Sequence, residues 1–388
     1  MYLKPNTLYK EMKILVVSGF FPYPPVFGGA IDVWERIKGL NMLGCTVDLV
    51  VTDKSNPTQD QLEILKQHIR HFFFVRRKNH ISQMFGNLPL QLLSRKNLSV
   101  VEINQNYDLV ILESEFCWPV TLNKSITYKN VAVRVHNIES HYFKMLGKSS
   151  DSLKEKIYYK IETSKIRKLS ALVFSKADRL WFISKDDLIS VNLPEKSVFM
   201  PFPINETFVK PYAKEGNNVV FMGSLFMQNN LFGLDWYLKN VHPYLVKAVP
   251  GYHFYIIGSL KEEDSGILAK YGQLPNVSLV INTPCLQTFY EKAQVFVNPM
   301  LHGSGVKVKS VNALVNGVPL VSTQVGVEGI GLTNDMYFHA ENAETFMQQV
   351  LNVLEKGEIA RKKTENAQEY LKEIHYLKIL KQELDELN

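Results

Sequence analysis

Residues 294–330 read QVFVNPMLHGSGVKVKSVNALVNGVPLVSTQVGVEGI, and the rest of the chain is best understood from this run. Residues 295–297 are a short apolar segment that ends at Asn298-Pro299 and predicts a buried strand. Gly303-Ser304-Gly305 follows, then an amphipathic segment over 306–316. Val308, Val311 and Val315 recur at helical spacing on one face; Gly305, Lys309, Asn312 and Asn316 fall on the other. Gly317 fits the position just past a helix end, and 318–322 predicts a second strand. A glycine loop between a strand and a helix exposes backbone N–H groups beside the positive end of the helix dipole. Lys307 and Lys309 add full charges there. The arrangement suits a phosphate or diphosphate, although Gly-Ser-Gly is also an ordinary turn and either lysine an ordinary surface charge.

Outward from this run, the chain alternates strand and helix. Residues 13–18, 46–51, 72–75, 109–112, 131–135 and 180–183 predict strands, with helices over 30–43 and about 151–176. Ser150 or Asp151 is the expected cap of the second helix. The alternation stops near Val198, and Met200-Pro201-Phe202-Pro203-Ile204-Asn205 reads as a linker. It then restarts: strands at 219–222, 253–257 and 277–281, helices at 231–246 and 286–292, then the quoted run. The Lys/Glu-rich tail over 355–387 is helical by composition and spacing. At 388 residues the chain is long enough for two cores. Two successive αβ domains with a ligand cleft between them follow from this layout.

Composition narrows the function classes. The net charge is +6, and 64–101 concentrates it: seven Lys or Arg (Lys66, Arg70, Arg76, Arg77, Lys78, Arg95, Lys96) and no acid. Apolar residues, among them Ile81, Met84 and Phe85, are mixed into that stretch. This makes 64–101 a candidate for peripheral contact with an anionic membrane; a buried strand with a solvated loop is the plainer reading. No nucleic-acid motif accompanies it. Apolar runs reach only four or five residues, far short of a membrane span, and no signal-peptide core precedes the first strand. Cys45, Cys117 and Cys285 show neither metal spacing nor a disulfide framework, so a cytoplasmic location is expected.

The quoted run resembles the donor-sugar segment of retaining GT-B glycosyltransferases, the group 1, family-four-like branch. The matching positions are Gly303, Ser304, Gly305, Val306, Lys307, Lys309, Ala313, Leu314, Gly317, Pro319, Val321, Ser322, Thr323, Gly326, Glu328 and Gly329. The family's helix glutamate, which holds ribose hydroxyls, falls on Asn312; an asparagine lacks the charge but still accepts and donates a hydrogen bond. Three further segments are similar to the family. Gly28-Gly29 matches its glycine pair, near donor phosphates or acceptor; it is otherwise a simple loop hinge. Arg134, His136, Asn137 and Glu139 match a strand-end motif in which His136 faces the transferred sugar and Arg134 and Glu139 shape the cleft. Gly223, Ser224 and Asn230 match the first strand and loop of the nucleotide domain. No Lys or Arg lies between Gly223 and Leu238, so the cationic duty would rest on Lys307 and Lys309.

The resemblance implies an α/β GT-B fold, two Rossmann-like domains facing each other across a cleft. Residues 1–203 would form the acceptor-side domain and 204–359 the nucleotide-sugar domain, with a C-terminal helix over about 360–388 crossing back to the first. It implies transfer of a hexose from a UDP- or GDP-sugar to a glycan or lipid-linked glycan. His136 and Lys307 would be catalytic; Glu328 would approach the donor. Neither a cofactor nor a metal is expected: no DxD-type motif is seen, and Asp186-Asp187 reads as a helix cap. A non-catalytic relative that binds a sugar nucleotide or partner as a scaffold is the alternative, favoured by Asn312. An epimerase or phosphorylase is a weaker reading. A dinucleotide oxidoreductase is weaker still, since no G-x-G-x-x-G follows either first strand.

Overall fold

The computed structural model describes residues 12–25, 27–78, 86–150, 152–204, 207–211, 216–260, 265–303 and 305–388. Ser304, Asp151, Asn205, residues 1–11 and the apolar Ile81, Met84 and Phe85 lie outside the described residues. The chain divides into two units, one comprising the residues up to Pro203 with His375–Asn388, the other Ile204–Ile374.

In the first unit the elements run β1 (Lys13–Ser18), α1 (Gly28–Met42), β2 (Thr46–Asp53), α2 (Gln59–Lys66), β3 (Phe72–Arg76), α3 (Leu90–Leu93) and β4 (Gln105–Leu112). They continue with β5 (Ile126–Val135), α4 (Glu139–Ser149), α5 (Leu153–Lys176), β6 (Arg179–Phe182), α6 (Lys185–Val191) and β7 (Ser197–Phe199). The sheet order is β3-β2-β1-β4-β5-β6-β7, all parallel. Parallel strands covered by helices on both faces read as continuous apolar runs, which is why Ile14–Val17 and Leu109–Leu112 are buried without alternation. The chain winds outward from β1 to β3, then returns to place β4 beside β1. That reversal is a switch point, where open αβ sheets place ligands.

The second unit repeats the plan. It runs β8 (Asn217–Met222), α7 (Gln228–Asn240), α8 (His242–Ala248), β9 (Tyr252–Gly258), α9 (Ser265–Tyr271), β10 (Val277–Ile281), α10 (Gln287–Lys292) and β11 (Val295–Asn298). Then come α11 (Val308–Val315), β12 (Leu320–Ser322), β13 (Phe338–His339), α12 (Ala343–Glu355) and α13 (Gly357–Glu373). The order β10-β9-β8-β11-β12-β13 puts its switch point between β8 and β11.

Several expectations change in detail. The helix expected over 231–246 is two, because Pro243 has no N–H to continue the ladder and instead opens α8. Ser152, not Ser150 or Asp151, precedes α5. Ser184 caps α6 by accepting from the Asp187 N–H, and Asp186 and Asp187 sit in its first turn. The tail crosses back later than about 360. Ala367 and Leu371 of α13 are buried in the second unit's core, and Gln368 Nε2 donates to Val209 O and Leu314 O, both at 2.8 Å. Only the last helix, α14 (Tyr376–Leu387), belongs to the first unit. Its Tyr376, Leu380, Leu384 and Leu387 pack with Ile37 and Leu40 of α1. Trp181 Nε1 donates to Glu383 Oε2 at 2.6 Å, and Asn130 Nδ2 to the Leu387 carbonyl at 3.0 Å.

Candidate active site

In the second unit, the loops after β8 and β11 meet at the switch point. Gly303 and Gly305 have φ of +128° and +81°, a region that costs little only for glycine. They carry the chain from β11 into α11, whose N-cap residue, Lys307, makes no side-chain cap hydrogen bond among the described residues. The leading amides of such a helix favour an anion. Lys307 occupies the position just before α11, and its buried Nζ donates to the Gly305 carbonyl and lies 3.4 Å from Glu328 Oε2. Glu328 is half exposed. Lys309, two residues on, turns the other way: its Nζ donates to Asn230 Oδ1 at 2.8 Å and lies 4.6 Å from the centre of the Phe221 ring. Asn230 Nδ2 in turn donates to the Ser224 carbonyl at 2.9 Å. A side chain at Gly223 would strike Asn230 at 2.9 Å, so the glycine keeps this contact open.

The electrostatics follow from the enclosure. Although Lys309 keeps some exposed surface, its ammonium end is ringed by Phe221, Gly223 and Asn230. Burial pulls its pKa down to about 7, and the neighbouring Lys307 charge acts in the same direction. Asn312 follows Lys309 by three residues, on the same side of α11. Its side-chain amide makes no hydrogen bond among the described residues, so it remains available to a ligand hydroxyl. Val306 is half buried between Gly305 and Lys307. The structure thus brings together Gly223, Ser224, Asn230 and Lys309 in one contact group, and Gly305, Lys307 and Glu328 in another. A fixing network that sequence reasoning missed holds the second: Asn298 Nδ2 donates to Ser310 Oγ at 2.8 Å and to the Gly326 carbonyl at 3.0 Å. Asn298 at the end of an apolar strand was the available signal.

In the first unit, polar groups gather at the carboxyl ends of β4 and β5 and on α1. Gly28 and Gly29, expected in a loop, form the first turn of α1; a Cβ at Gly28 would meet nothing. One turn on, Asp32 accepts from Arg134 Nε and Nη2 at 2.8 and 2.9 Å and from Arg36 Nη2 at 2.5 Å. Arg36 Nε also meets Glu113 Oε1 at 2.5 Å, and its Nη1 donates to Tyr376 Oη at 3.0 Å. All four charged residues are buried. Burial pushes the Asp32 carboxyl up, but Arg134 and Arg36 outweigh it and hold it at about 2. Glu113 is likewise pushed up by burial and held below its ordinary value chiefly by Arg36. Arg134 is therefore buried, with its guanidinium bonded to Asp32, while the residue still lines the small cavity beside His136. Asp32, Arg36 and Glu113 were missed from sequence. The signals were there: a charged pair four apart inside an apolar helix, and a glutamate directly after the run 109–112.

His136 is half buried at the edge of this network. Its Nδ1 lies 3.8 Å from Asp32 and its Nε2 3.6 Å from Glu113, both beyond hydrogen-bond reach. Nε2 is buried and has no hydrogen-bond partner among the described residues. Asp32, Glu113 and His136 offer ligand atoms within 4.8 Å of one another. Two guanidiniums already match the two carboxylates, so a divalent ion would have to displace them. Beside His136, Ser114, Glu115, Arg134, Asn137 and Glu139 line a cavity of about 20 Å³, room for one water-sized group. Burial raises the Glu115 carboxyl to about 8, with Glu139 adding to the rise; Ser170 Oγ donates to it at 2.9 Å. Burial raises Glu139 to about 7 against the pull of His136 and Arg95.

The basic stretch 64–101 is partly tied down. Arg70 pairs with Asp48 at 2.6 Å, Arg77 donates to Gln91 and Ser94, and Arg95 is buried against Gln91. Among the described residues, no helix is long and apolar enough to cross a membrane.

The profile of the family described as "Glycosyl transferases group 1" matches residues 216–356. An "uncharacterized 44.6 kDa protein in cps region" of Klebsiella pneumoniae is 35% identical over 353 residues, covering 88% of this chain and 90% of its own. Among solved structures, TarM of S. aureus, in complex with Fondaparinux, alpha-GlcNAc-glycerol and UDP, superposes with a TM-score of 0.67 at 11% identity, over 97% of this chain and all of its own (100%). A glycosyltransferase of Rickettsia africae ESF-5 gives 0.63 at 13% identity, with 98% of each chain covered. HepE of Anabaena in complex with UDP-glucose gives 0.62 at 12%, covering 97% and 99%. At such identities the structures speak for the fold alone.

Proposed function

Because the chain belongs to the glycosyl transferases group 1 family and has the α/β GT-B fold, we propose that it is a retaining hexosyltransferase that works without a metal. The donor is a nucleotide-diphosphate sugar, UDP- or GDP-linked, and the acceptor a glycan or lipid-linked glycan. The observation that carries this reading is the cradle of the second unit: a helix start that Lys307 does not cap, two glycines of positive φ, and two lysines, the first of which lowers the pKa of the second. Breaking the anomeric C–O bond sends its electron pair to the departing diphosphate. Lys307, Lys309 and the α11 amides stabilise that charge. The acceptor hydroxyl attacks from the same face, and its proton passes to a diphosphate oxygen, so no carboxylate pair is required. Asn312 and Glu328 hold the ribose and sugar side of the donor, and His136, half buried at the carboxyl end of β5, is the group that serves the transferred sugar. Solved relatives that hold UDP or UDP-glucose favour UDP among the donors. The Klebsiella relative's cps region supports a role in polysaccharide assembly, which we assign to the cytoplasm.

A panel of nucleotide sugars, with release of free nucleotide as the readout, tests the reading. Slow hydrolysis of one donor is expected. Donor protection against heating with no turnover would favour the scaffold, and interconversion of sugars an epimerase. His136→Ala should impair transfer and spare nucleotide binding; loss of folding instead would place the imidazole in the core.

A further inference from the structure

The 24-residue helix α5 is apolar on two sides. Ile166, Leu169 and Val173 face the first unit's core. Leu153, Ile157 and Ile161, spaced by four, are 72%, 54% and 50% exposed. On the adjoining helix α4, Tyr142 and Met145 are exposed as well. Between the helices runs a groove of about 640 Å³ lined by Lys144, Lys148, Lys156, Lys160, Arg167 and the half-buried Tyr159, with no acid among its lining residues. On a helical projection Lys156 and Lys160 lie beside the Leu153–Ile157–Ile161 stripe, each about a sixth of a turn from the stripe residue three before it. None of the five cations forms an ion pair among the described residues.

We propose that the α4–α5 face docks the protein onto a bilayer that carries anionic lipid. An exposed apolar stripe flanked by lysines suits that surface: the isoleucines enter the acyl boundary while the lysine stems lie along it and their ammonium groups meet headgroup phosphates. A second copy of the chain would set five cations against five, which disfavours a symmetric dimer through this face. A soluble polyanion would use the cations but leave the stripe in water. The contact would be peripheral, and it differs from the 64–101 stretch, where Arg70, Arg77 and Arg95 are engaged internally. Glu139, at the start of α4, lines the small cavity beside His136, so the same helix joins the docking face to the candidate site.

Vesicle flotation tests the proposal without any donor or acceptor, so its outcome is independent of the transfer reading. The full chain should float with phosphatidylcholine–phosphatidylglycerol vesicles and not with phosphatidylcholine alone. Ile157→Ser with Ile161→Ser should lower partitioning at least about tenfold. Lys156→Gln with Lys160→Gln should lower it about 25-fold, from roughly fivefold per charge. All four side chains are exposed, and an unchanged melting curve shows that the variants are folded. Lys66→Gln with Lys96→Gln should leave flotation unchanged. No flotation of the parent chain would overturn the proposal, as would loss in the Lys66/Lys96 variant alone. Full binding by the isoleucine variant, with dextran sulfate competing as well as vesicles, would make the groove a polyanion site instead.

Discussion

Both sheets bring charge to their switch points, yet the two clusters are balanced differently. In the first unit, Asp32 and Glu113 face Arg36 and Arg134, all buried and mutually bonded. In the second, Lys307 and Lys309 meet, among the described residues, one half-exposed carboxylate, Glu328, and a neutral amide, Asn230. The first cluster is complete without a ligand. The second carries two lysines to one carboxylate among the described residues, and the proposed donor site rests on that imbalance. A charged cluster near a switch point is thus not by itself a binding site; the remaining imbalance distinguishes the two.

The largest expected effect strikes the complete cluster. Asp32→Ala leaves two buried guanidiniums short of a partner and should cost about 3–5 kcal/mol in denaturant unfolding. A variant as stable as the parent chain would break the contrast. Next, Lys307→Ala should cut turnover by about two to three orders of magnitude with a small change in stability. Near-normal turnover would remove it from the leaving-group cradle. Smaller again is a pH effect in the first unit. Glu115 and Glu139 have raised pKa values, so the folded state holds protons that the unfolded chain releases. Their contribution is fully present below the ordinary carboxyl range and is lost as pH rises through about 7 and 8. Glu115→Gln should flatten the fall in stability between about pH 5 and 8, by up to roughly 1.4 kcal/mol per pH unit. An unchanged slope would show that the carboxyl is solvated. The smallest signal is a single proton. At pH 8 Lys309 is mostly neutral, and a diphosphate beside it restores the charge, so UDP binding should take up as much as about one proton. Calorimetry in buffers of different ionisation enthalpy reads this directly; binding without proton exchange would mean that the phosphates do not reach Lys309.

The sequence carried the architecture well because parallel strands buried on both faces leave short apolar runs that few other structures produce. The glycine loop was legible for a related reason: strand, Gly-x-Gly and amphipathic helix are each local patterns, and Lys307 and Lys309 are local to them. What stayed hidden was assembled from distant segments. Asp32, Arg36, Glu113, Arg134 and Tyr376 converge only when α14 returns across the first sheet, and no spacing along the chain announces that meeting. Arg134 illustrates the limit. Its place at the carboxyl end of a strand pointed to a ligand site, and only the Asp32 carboxylate shows that its guanidinium is engaged internally. The crossover point was misplaced because α13 and α14 share the same Lys/Glu-rich composition, and only their buried faces tell them apart.

The last helix also sets an order of events. Tyr376, Leu380 and Leu384 plug a hole in a core whose other walls are made from residues 12–200, and Arg36 and Trp181 wait for its polar groups. During synthesis, the half that leaves the ribosome earliest therefore stays unfinished until residues 376–387 have emerged. The half made afterwards contains all of its own core and can close first.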